Sequence, residues 1–190
     1  ASTHDIILFF SNKGKLYRLK GYEVPEAGRT AKGTAIVNLL SLDPGEKISA
    51  VIPINNFSEG KYLLMGTKNG LIKKTALTEY NSARKTGLLA ITLKDDDELI
   101  DVRLTDGEDN VVMVTKKGMS ITFDEKDVRP VGRSAQGVLG IRLDDDDIVI
   151  GMESILAKNK NATLLAITEN GFGKRTEVDE YRVQNRGGRG

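Results

Sequence analysis

A pattern of about fifty residues recurs along the chain, and it constrains the fold more than any other feature of the sequence. Each copy opens with an apolar run, a Ser or Thr, and a polar turn that ends in glycine. These glycines lie 56, 48 and 53 residues apart, at Gly14, Gly70, Gly118 and Gly171. A second strand-like run follows each of them, so every copy is predicted to begin with a β-hairpin. Where the turn is Asn-Gly, at 69–70 and 170–171, the pattern favours a two-residue turn with positive φ at both positions.

Each copy then passes through a second glycine and an acidic turn. The second glycines follow the first by 17 to 19 residues, at Gly33, Gly87, Gly137 and Gly190. In the three complete copies an apolar stretch comes next (residues 36–37, 89–91 and 139–141), then an acidic turn (43–46, 95–98 and 144–147) and a closing strand. The four repeats are predicted to span 5–55, 61–106, 110–155 and 162–190, with the last one incomplete.

Four predicted strands per copy, with no sustained helical period, indicate an all-β fold. Four-stranded units at this period are typical of propeller-like blades, each of which buries its faces against its neighbours. The whole chain, 1–190, is therefore predicted to be a single partial domain of repeated four-stranded blades. About four repeats do not close a typical ring, so we expect either further blades or an open assembly.

Charge is distributed unevenly within each copy, although the chain as a whole is nearly neutral. It has 28 basic and 27 acidic residues, for a net charge of +1. The basic residues gather before the second glycine, and the acidic residues gather one strand later. Because consecutive turns of an up-and-down blade lie at opposite ends, repetition is predicted to line basic turns along one rim and acidic turns along another.

The composition excludes several kinds of site. The chain has no cysteine and one histidine, so it can form no disulfide or thiolate metal site, and histidine catalysis is not expected. The aspartate runs could hold Ca²⁺ or Mg²⁺, but they lack the alternating spacing and the glycine of a calcium loop. We therefore predict solvated acidic turns, no metal, no cofactor and no catalytic residue. No apolar run is long enough to cross a membrane, so no membrane partner is expected.

The last seven residues form the most specific motif. Gln184-Asn185-Arg186-Gly187-Gly188-Arg189-Gly190 closely resembles the box motif of the gyrase A family, which is Gln, a usually basic residue, Arg-Gly-Gly, Lys or Arg, and Gly. Asn185 departs from the usual basic second position. Segments 3–7, 36–40 and 171–176 also resemble that family, so the resemblance covers essentially the whole chain. We expect a piece of a longer protein, similar to the C-terminal DNA-wrapping domains of bacterial DNA gyrase A proteins.

The resemblance implies both a fold and a function. The fold is a β-pinwheel, a ring of usually six propeller-like blades in which neighbours exchange a strand, and duplex DNA wraps around its basic outer rim. In that family the box with the strongest effect on wrapping lies in the first blade, so the copy at 184–190 is expected to be a secondary one. DNA cleavage belongs to a preceding domain of gyrase A, and ATP is used by gyrase B.

The resemblance also implies the setting in which the chain works. It is expected to be a non-catalytic, cytoplasmic, nucleoid-associated module that supports negative supercoiling by wrapping DNA without sequence specificity. Its expected partners are double-stranded DNA, the remainder of gyrase A, and gyrase B. The chain by itself is therefore not expected to be an enzyme.

Phosphate contact is predicted around the second glycines. Glycine lets a polyanion approach the backbone closely, and the arginine fork fits phosphate oxygens. The predicted DNA-binding residues are Arg29, Lys32, Arg84, Lys85, Arg133, Gln184, Arg186, Gly187, Gly188, Arg189 and Gly190. Weaker candidates, on hairpin strands whose charges can instead point to solvent, are Lys73, Lys74, Lys174 and Arg175.

Two alternative functions remain open. The equivalent domain of topoisomerase IV shares the fold and the DNA partner, and its boxes are usually more degenerate. A propeller that binds proteins through its charged rims belongs to a different class, and affinity for duplex DNA with a steep salt dependence would separate it from a DNA-binding module. An exposed blade edge also favours strand-swapped self-association of the chain.

Overall fold

The computed structural model describes residues 1–156, 159 and 161–190, and its strands fall into one group per repeat. Repeat 1 holds β1 (Ile6–Ser11), β2 (Lys15–Lys20) and β3 (Ile48–Ile54). Repeat 2 holds β4 (Tyr62–Thr67), β5 (Leu71–Ala76), β6 (Leu88–Leu89) and β7 (Leu99–Thr105). Repeat 3 holds β8 (Asp109–Thr115), β9 (Ser120–Asp124), β10 (Val138–Leu139) and β11 (Val149–Leu156), and repeat 4 holds β12 (Thr163–Ile167) and β13 (Gly173–Glu177).

Only short 3-10 helices accompany these strands in the part of the chain that is described. Four of them follow the hairpins, at Gly21–Glu23, Leu77–Tyr80, Glu125–Asp127 and Val178–Glu180, and one more lies at Ile36–Asn38. None of these described helices has the length and apolar character needed to span a membrane.

Neighbouring repeats exchange a strand, as the family resemblance implies. The first sheet has the order β3-β1-β2-β6, and its last strand comes from repeat 2. The second sheet has the order β10-β5-β4-β7, and its first strand comes from repeat 3. The other two sheets are β11-β8-β9 and β12-β13. These antiparallel sheets with exchanged strands confirm the predicted all-β, propeller-like fold.

The first strand of each of the first three hairpins has a central run without polar side chains because both of its faces are covered. Along β1, Leu8 and Phe10 belong to a core shared with Leu63 of repeat 2, whereas Phe9 faces the opposite way and packs near Leu40. The alternation of side chains across a strand produces these two cores from one continuous run. An apolar strand without polar alternation thus marks a blade that is covered on both faces.

The hairpin turns differ from the predicted type. Gly70 takes a φ of +85°, but Asn69 is not among the residues with positive φ. The Gly70 N–H donates to Thr67 O at 3.1 Å, which closes a turn without positive φ at its central residues. Gly70 then takes the left-handed conformation, as in the common hairpin loops that are longer than two residues. A Cβ at Gly70 would lie 2.6 Å from the Ile141 carbonyl oxygen, so close packing also requires glycine there.

The strand predicted at Ile36 and Val37 is also wrong. These residues lie in the 3-10 helix Ile36–Asn38, whereas the equivalent stretches of repeats 2 and 3 form β6 and β10. Both of those strands are extended because each pairs with the hairpin of the preceding repeat. Repeat 1 has no preceding hairpin among the described residues, so the same local sequence pattern takes a different conformation.

Candidate nucleic-acid interface

The predicted DNA-binding residues outside the hairpins lie on four equivalent loops, at residues 24–33, 81–87, 128–137 and 181–190, which we call the box loops. Each ends at a glycine in the left-handed region. The φ values are +75° at Gly33, +88° at Gly87, +95° at Gly137 and +107° at Gly190. Because this conformation is rarely adopted by side-chain-bearing residues, the recurrent glycine gives all four loops the same ending.

The last three box loops each pack on the preceding repeat through the same backbone hydrogen bond. The carbonyl two residues before the final glycine accepts an N–H from the segment beyond the previous repeat's own glycine. The donor and acceptor pairs are Ser41 to Lys85 (3.3 Å), Thr92 to Ala135 (3.3 Å) and Arg142 to Gly188 (2.7 Å). The loops are therefore parts of the junctions between repeats as well as surface loops.

Close packing at these junctions gives the glycines a role that the sequence did not predict. A Cβ at Gly137 would lie 2.6 Å from Ile72 O, and one at Gly190 would lie 2.6 Å from Ser120 O. At Gly87 it would lie 2.8 Å from the Tyr17 ring. These glycines therefore allow the loop to approach the preceding blade, which is a structural requirement separate from any approach of a polyanion.

Five of the predicted cations are exposed on the box loops: Arg29, Lys32, Arg84, Lys85 and Arg189. Two of them have acidic neighbours from the preceding repeat. Lys85 Nζ lies 2.8 Å from Glu23 Oε1, and Arg189 lies 3.9 Å from Asp144. The backbone N–H of Lys20 and the Lys85 ammonium both donate to Glu23 and hold the pKa of that carboxyl below its usual range.

The predicted separation of basic and acidic turns into two rims is therefore incomplete. Asp144 opens an acidic turn, yet it lies beside the box loop that carries Arg189. Lys15, next to a hairpin turn, pairs with Asp43 of the first acidic turn. Acidic and basic turns meet at the junctions because the box loop of one repeat packs on the segment that leads into the acidic turn of the repeat before it.

Arg133 and Arg186 differ from the exposed group because they are partly buried and donate to backbone carbonyls. Arg133 Nη1 donates to Leu89 O at 3.4 Å, and Arg186 Nη1 donates to Leu139 O. Both arginines stand four residues before the final glycine of their loop, as does the exposed Arg29. Their partners show that cations of one box loop are not equivalent to one another.

Lys73 was predicted as a weaker DNA-binding candidate, but its side chain is fully buried. Its Nζ donates to Ala90 O at 2.6 Å and to Arg133 O at 2.5 Å. Burial lowers the pKa of Lys73 to about 8, and the nearby Arg133 charge contributes to that decrease while Glu79 opposes it. An ammonium enclosed between two repeats is not available to phosphate.

Lys74 was also predicted as a weaker DNA-binding candidate, and its side chain is buried as well. It is 4% exposed, donates to Glu125 O at 2.9 Å and lies 3.8 Å from Glu125 Oε1, which is itself fully buried. Burial lowers the pKa of Lys74, and the Glu125 charge offsets part of that shift. Lys74 thus joins β5 to the 3-10 helix of repeat 3.

Lys174 and Arg175 occupy the positions in repeat 4 that Lys73 and Lys74 occupy in repeat 2, and both are exposed. They follow the hairpin glycine by three and four residues, as Lys73 and Lys74 do. The difference arises because a following box loop covers β5, while no described segment covers β13. Equivalent sequence positions therefore give opposite burial.

The box motif at 184–190 uses much of its backbone for packing on repeat 3. The Gln184 N–H donates to Thr122 O at 2.8 Å, and the Gly187 N–H donates to Gly140 O at 2.8 Å. Gly187 takes a φ of +83°, and Gly188 and Gly190 follow it in the loop. Within this motif, Arg189 is the exposed cation that remains directed at solvent apart from Asp144.

The acidic turns contain a buried carboxylate that the prediction of solvated turns missed. Glu46, Asp97 and Asp147 are 7%, 8% and 7% exposed, respectively. Asp97 accepts the N–H of Asn69 at 2.9 Å, and Asp147 accepts the N–H of Lys117 at 3.0 Å. These two carboxylates stabilise the adjacent hairpin turns, so the acidic turns serve the fold.

The residue before each buried carboxylate has positive φ: +76° at Gly45, +63° at Asp96 and +60° at Asp146. Aspartate tolerates this region better than most residues, which explains why an aspartate can stand where repeat 1 has glycine. No cluster of three or more potential metal ligands occurs among the described residues.

Three further exposed cations on or beside the box loops were missed by the sequence argument: Arg129, Arg142 and Arg182. Arg129 and Arg182 each stand eight residues before the final glycine, so a closer alignment of the repeats could have found them. Arg142 belongs to repeat 3 but borders the box loop of repeat 4, where its N–H donates to Gly188 O. Spacing along the sequence does not indicate this contact between repeats.

A family model described as the DNA gyrase C-terminal domain, beta-propeller, matches residues 5–55, 61–106, 109–155 and 162–190. The DNA gyrase A protein of Clostridium acetobutylicum is 58% identical over 189 residues, which is 100% of this chain and 22% of that protein. Its counterpart from Haloquadratum walsbyi is 46% identical over 194 residues, again covering 100% of this chain and 22% of the relative. This chain thus spans about a fifth of the length of these curated relatives.

Solved structures agree with the sequence matches. The C-terminal domain of DNA topoisomerase IV superposes with a TM-score of 0.89 at 35% identity, covering 99% of this chain and 58% of that one. The C-terminal domain of DNA gyrase A superposes with a TM-score of 0.83 at 30% identity, covering 100% of this chain and 60% of that one.

Proposed function

Because this chain belongs to the family of DNA gyrase C-terminal domains, we propose that it binds duplex DNA without sequence specificity and bends it across its box loops. The observation that carries the proposal is the recurrence of one loop ending with exposed cations beside it. These cations are Arg29, Lys32, Arg84, Lys85 and Arg189, with Lys174 and Arg175 as exposed candidates on the last hairpin. In the gyrase holoenzyme this module supports negative supercoiling, with the remainder of gyrase A, and gyrase B, as partners at the nucleoid.

The mechanism is mechanical rather than catalytic. Bending a short duplex by 40–90° costs about 1–6 kcal/mol, and this cost must be offset by phosphate contacts that release counterions. A single loop carries at most two of the five exposed cations, so several loops must act together. Contacts to phosphate carry no sequence information, so the preference for one DNA over another follows its deformability.

The equivalent role in topoisomerase IV is the second candidate. It is favoured by the TM-score of 0.89 to that enzyme's C-terminal domain, compared with 0.83 to the gyrase A domain. The gyrase role is favoured by the complete box motif at 184–190 and by 58% identity to a gyrase A protein. Both candidates predict binding to duplex DNA.

The experiment measures duplex affinity against salt concentration for the wild type and a variant with alanine at the five exposed box-loop cations. The slope of log affinity against log salt should flatten by about 0.9 for each phosphate interaction that the substitutions remove. The matched control replaces five exposed lysines outside the box loops with alanine: Lys13, Lys47, Lys61, Lys94 and Lys116. Its net charge changes equally, and its slope should stay close to that of the wild type.

Two results would contradict the proposal. Equal flattening in both variants would mean that overall charge, rather than the box loops, attracts DNA. Weak, salt-insensitive binding by the wild type would favour a protein partner for the charged rim.

A further inference from the structure

We propose that Arg133 and Arg186 are clamps between blades, positioning residues that set the angle between repeats instead of contacting phosphate. Their effect on DNA curvature rests on the proposed function, whereas their effect on the junctions does not. The cations of the last two box loops thus form two groups. The arginine four residues before the final glycine is a clamp, and the other, exposed cations contact phosphate.

The arginine at this position reaches a strand that has already crossed to another blade. Arg186 Nη1 donates to Leu139 O, and its Nε donates to Asp127 O at 3.2 Å. Leu139 is the last residue of β10, which belongs to repeat 3 but pairs with β5 in the sheet of repeat 2. One guanidinium in repeat 4 therefore binds two carbonyls of repeat 3, one of which lies on a strand in the sheet of repeat 2.

Arg133 makes the equivalent contact one junction earlier. Its Nη1 donates to Leu89 O at 3.4 Å. Leu89 is the last residue of β6, which belongs to repeat 2 and pairs with Lys15 of β2 in the sheet of repeat 1. Leu89 and Leu139 both stand two residues after their second glycine, so the two arginines bind the same backbone position in successive copies.

The loop that carries Arg133 is also held by a second contact, at its backbone. Lys73 Nζ donates to the Arg133 carbonyl oxygen at 2.5 Å and to Ala90 O at 2.6 Å. The backbone and the side chain of Arg133 are thus fixed to two different neighbouring segments. A side chain held in this way has a defined direction, with its Nη1 on the Leu89 carbonyl.

The first junction in the chain lacks this arginine and is held by another cation. The equivalent position is Ala83, which is 3% exposed in the core. There Arg18 of β2 donates to Asn81 O at 3.2 Å and stacks over the Phe57 ring, with its Cζ 5.3 Å from the ring centroid. Each of these three junctions therefore has a cation on the box-loop backbone or on the exchanged strand, which indicates a structural need at this place.

The angle between blades determines where each exposed cation stands along the rim. Because the clamps lie at the junctions between blades, weakening them should change the curvature that the rim imposes while leaving its charge unchanged. A lysine in place of the arginine keeps the charge, but its ammonium lacks the planar fork with which Arg186 reaches two separate carbonyls and Arg133 reaches one.

The test uses the whole chain with lysine at both clamps, Arg133→Lys and Arg186→Lys. The matched control carries Arg84→Lys and Arg189→Lys, which makes the same chemical change at exposed positions of box loops. Amide exchange is followed at Thr92 and Arg142, whose N–H groups donate to Ala135 O and Gly188 O across the two clamped junctions. Affinity is measured for a closed DNA minicircle and for linear duplex of the same sequence, across a salt series.

The clamp variant should exchange both amides about tenfold faster than the wild type, as expected when a hydrogen bond from a charged donor is removed. Its preference for the minicircle should fall severalfold while its salt slope stays unchanged, and the control should match the wild type in exchange. Unchanged exchange at both amides would overturn the clamp. Faster exchange with an unchanged minicircle preference would overturn the link between the clamps and DNA curvature. Absence of all DNA binding would contradict the proposed function, and the exchange rates would still test the clamps.

Discussion

At the scale of single residues, the buried ammonium of Lys73 makes the stability of the fold depend on pH. The pKa of Lys73 falls from 10.5 to about 8 in the folded chain, chiefly because of burial. Between these values Lys73 binds more protons in the unfolded chain than in the folded one, so its contribution to stability increases as pH rises through this window. The neighbours that share this environment are Arg133, Glu79 and the hydroxyl of Tyr80, which also donates to Ala90 O.

We therefore expect the free energy of unfolding to rise by about 2 kcal/mol between pH 8 and pH 10 through Lys73 alone. Chemical denaturation should show that the change in unfolding free energy across this range is more positive in the wild type than in Lys73→Met by about 2 kcal/mol. The variant keeps the contributions of other buried groups, such as Lys74, whose pKa burial also lowers. The control is Lys94→Met, an exposed lysine, which should retain the wild-type pH dependence. The same slope in all three proteins would mean that the ammonium is not enclosed in solution.

Glu23 is the second residue with a measurable electrostatic effect, because it neutralises Lys85 on a box loop at 2.8 Å. Glu23→Gln should raise duplex affinity about threefold at low salt, since an exposed ion pair contributes up to about 1 kcal/mol and the freed lysine can meet phosphate. Glu59→Gln makes the same charge change at an exposed site away from the loop and serves as the control. Equal gains in both variants would show a general charge effect in place of a local one.

At the scale of elements, the box loops depend on glycine where they cross onto the preceding blade. Gly137 combines a φ of +95° with a site where a Cβ would lie 2.6 Å from Ile72 O. Gly132, in the same loop, has open space around it and no such φ. The two positions offer a matched pair for testing whether the junction tolerates a methyl group.

Gly137→Ala should lower the free energy of unfolding by at least about 2 kcal/mol, because the positive φ and the carbonyl contact both oppose a side chain. Gly132→Ala should stay within about 0.5 kcal/mol of the wild type. Urea denaturation of both variants provides the measurement. A small effect at Gly137 would indicate that the loop can leave the preceding blade without cost.

At the scale of the whole molecule, the described chain has unequal ends. Leu165 and Ile167 of β12 are 61% and 68% exposed, whereas the equivalent strands of the other repeats are largely buried. In the part of the chain that the structure describes, β12 pairs with β13 alone. An apolar strand with a free edge is a surface on which a second copy can pair, as the sequence argument predicted for this chain.

We expect concentration-dependent self-association of the wild type in sedimentation experiments, and its loss in the double variant Leu165→Lys and Ile167→Lys. Val37→Lys, which also replaces an exposed apolar residue (62% exposed), should leave self-association unchanged. A wild type that remains monomeric at all concentrations would contradict this prediction.

The period of the repeats, the hairpins and the all-β fold could be predicted from the sequence because they depend on local patterns. An apolar run, a polar turn and a glycine lie within about ten residues of one another, and each copy carries them independently. The recurrence of basic residues near the second glycine is likewise visible along the chain. Lys32 and Arg84, whose exposure depends on their own segments, lie on the surface, and their contact with DNA stays a prediction.

What only the tertiary structure decided is which of these cations are available. Lys73 and Lys174 hold the same place in their repeats, yet one is buried under the next box loop and the other is exposed. Arg133 and Arg189 both precede a second glycine, yet one donates to a strand of another repeat and the other faces solvent. Burial and pairing of this kind are set by contacts between residues far apart in the chain, so local sequence determined the blades and their packing determined the surface.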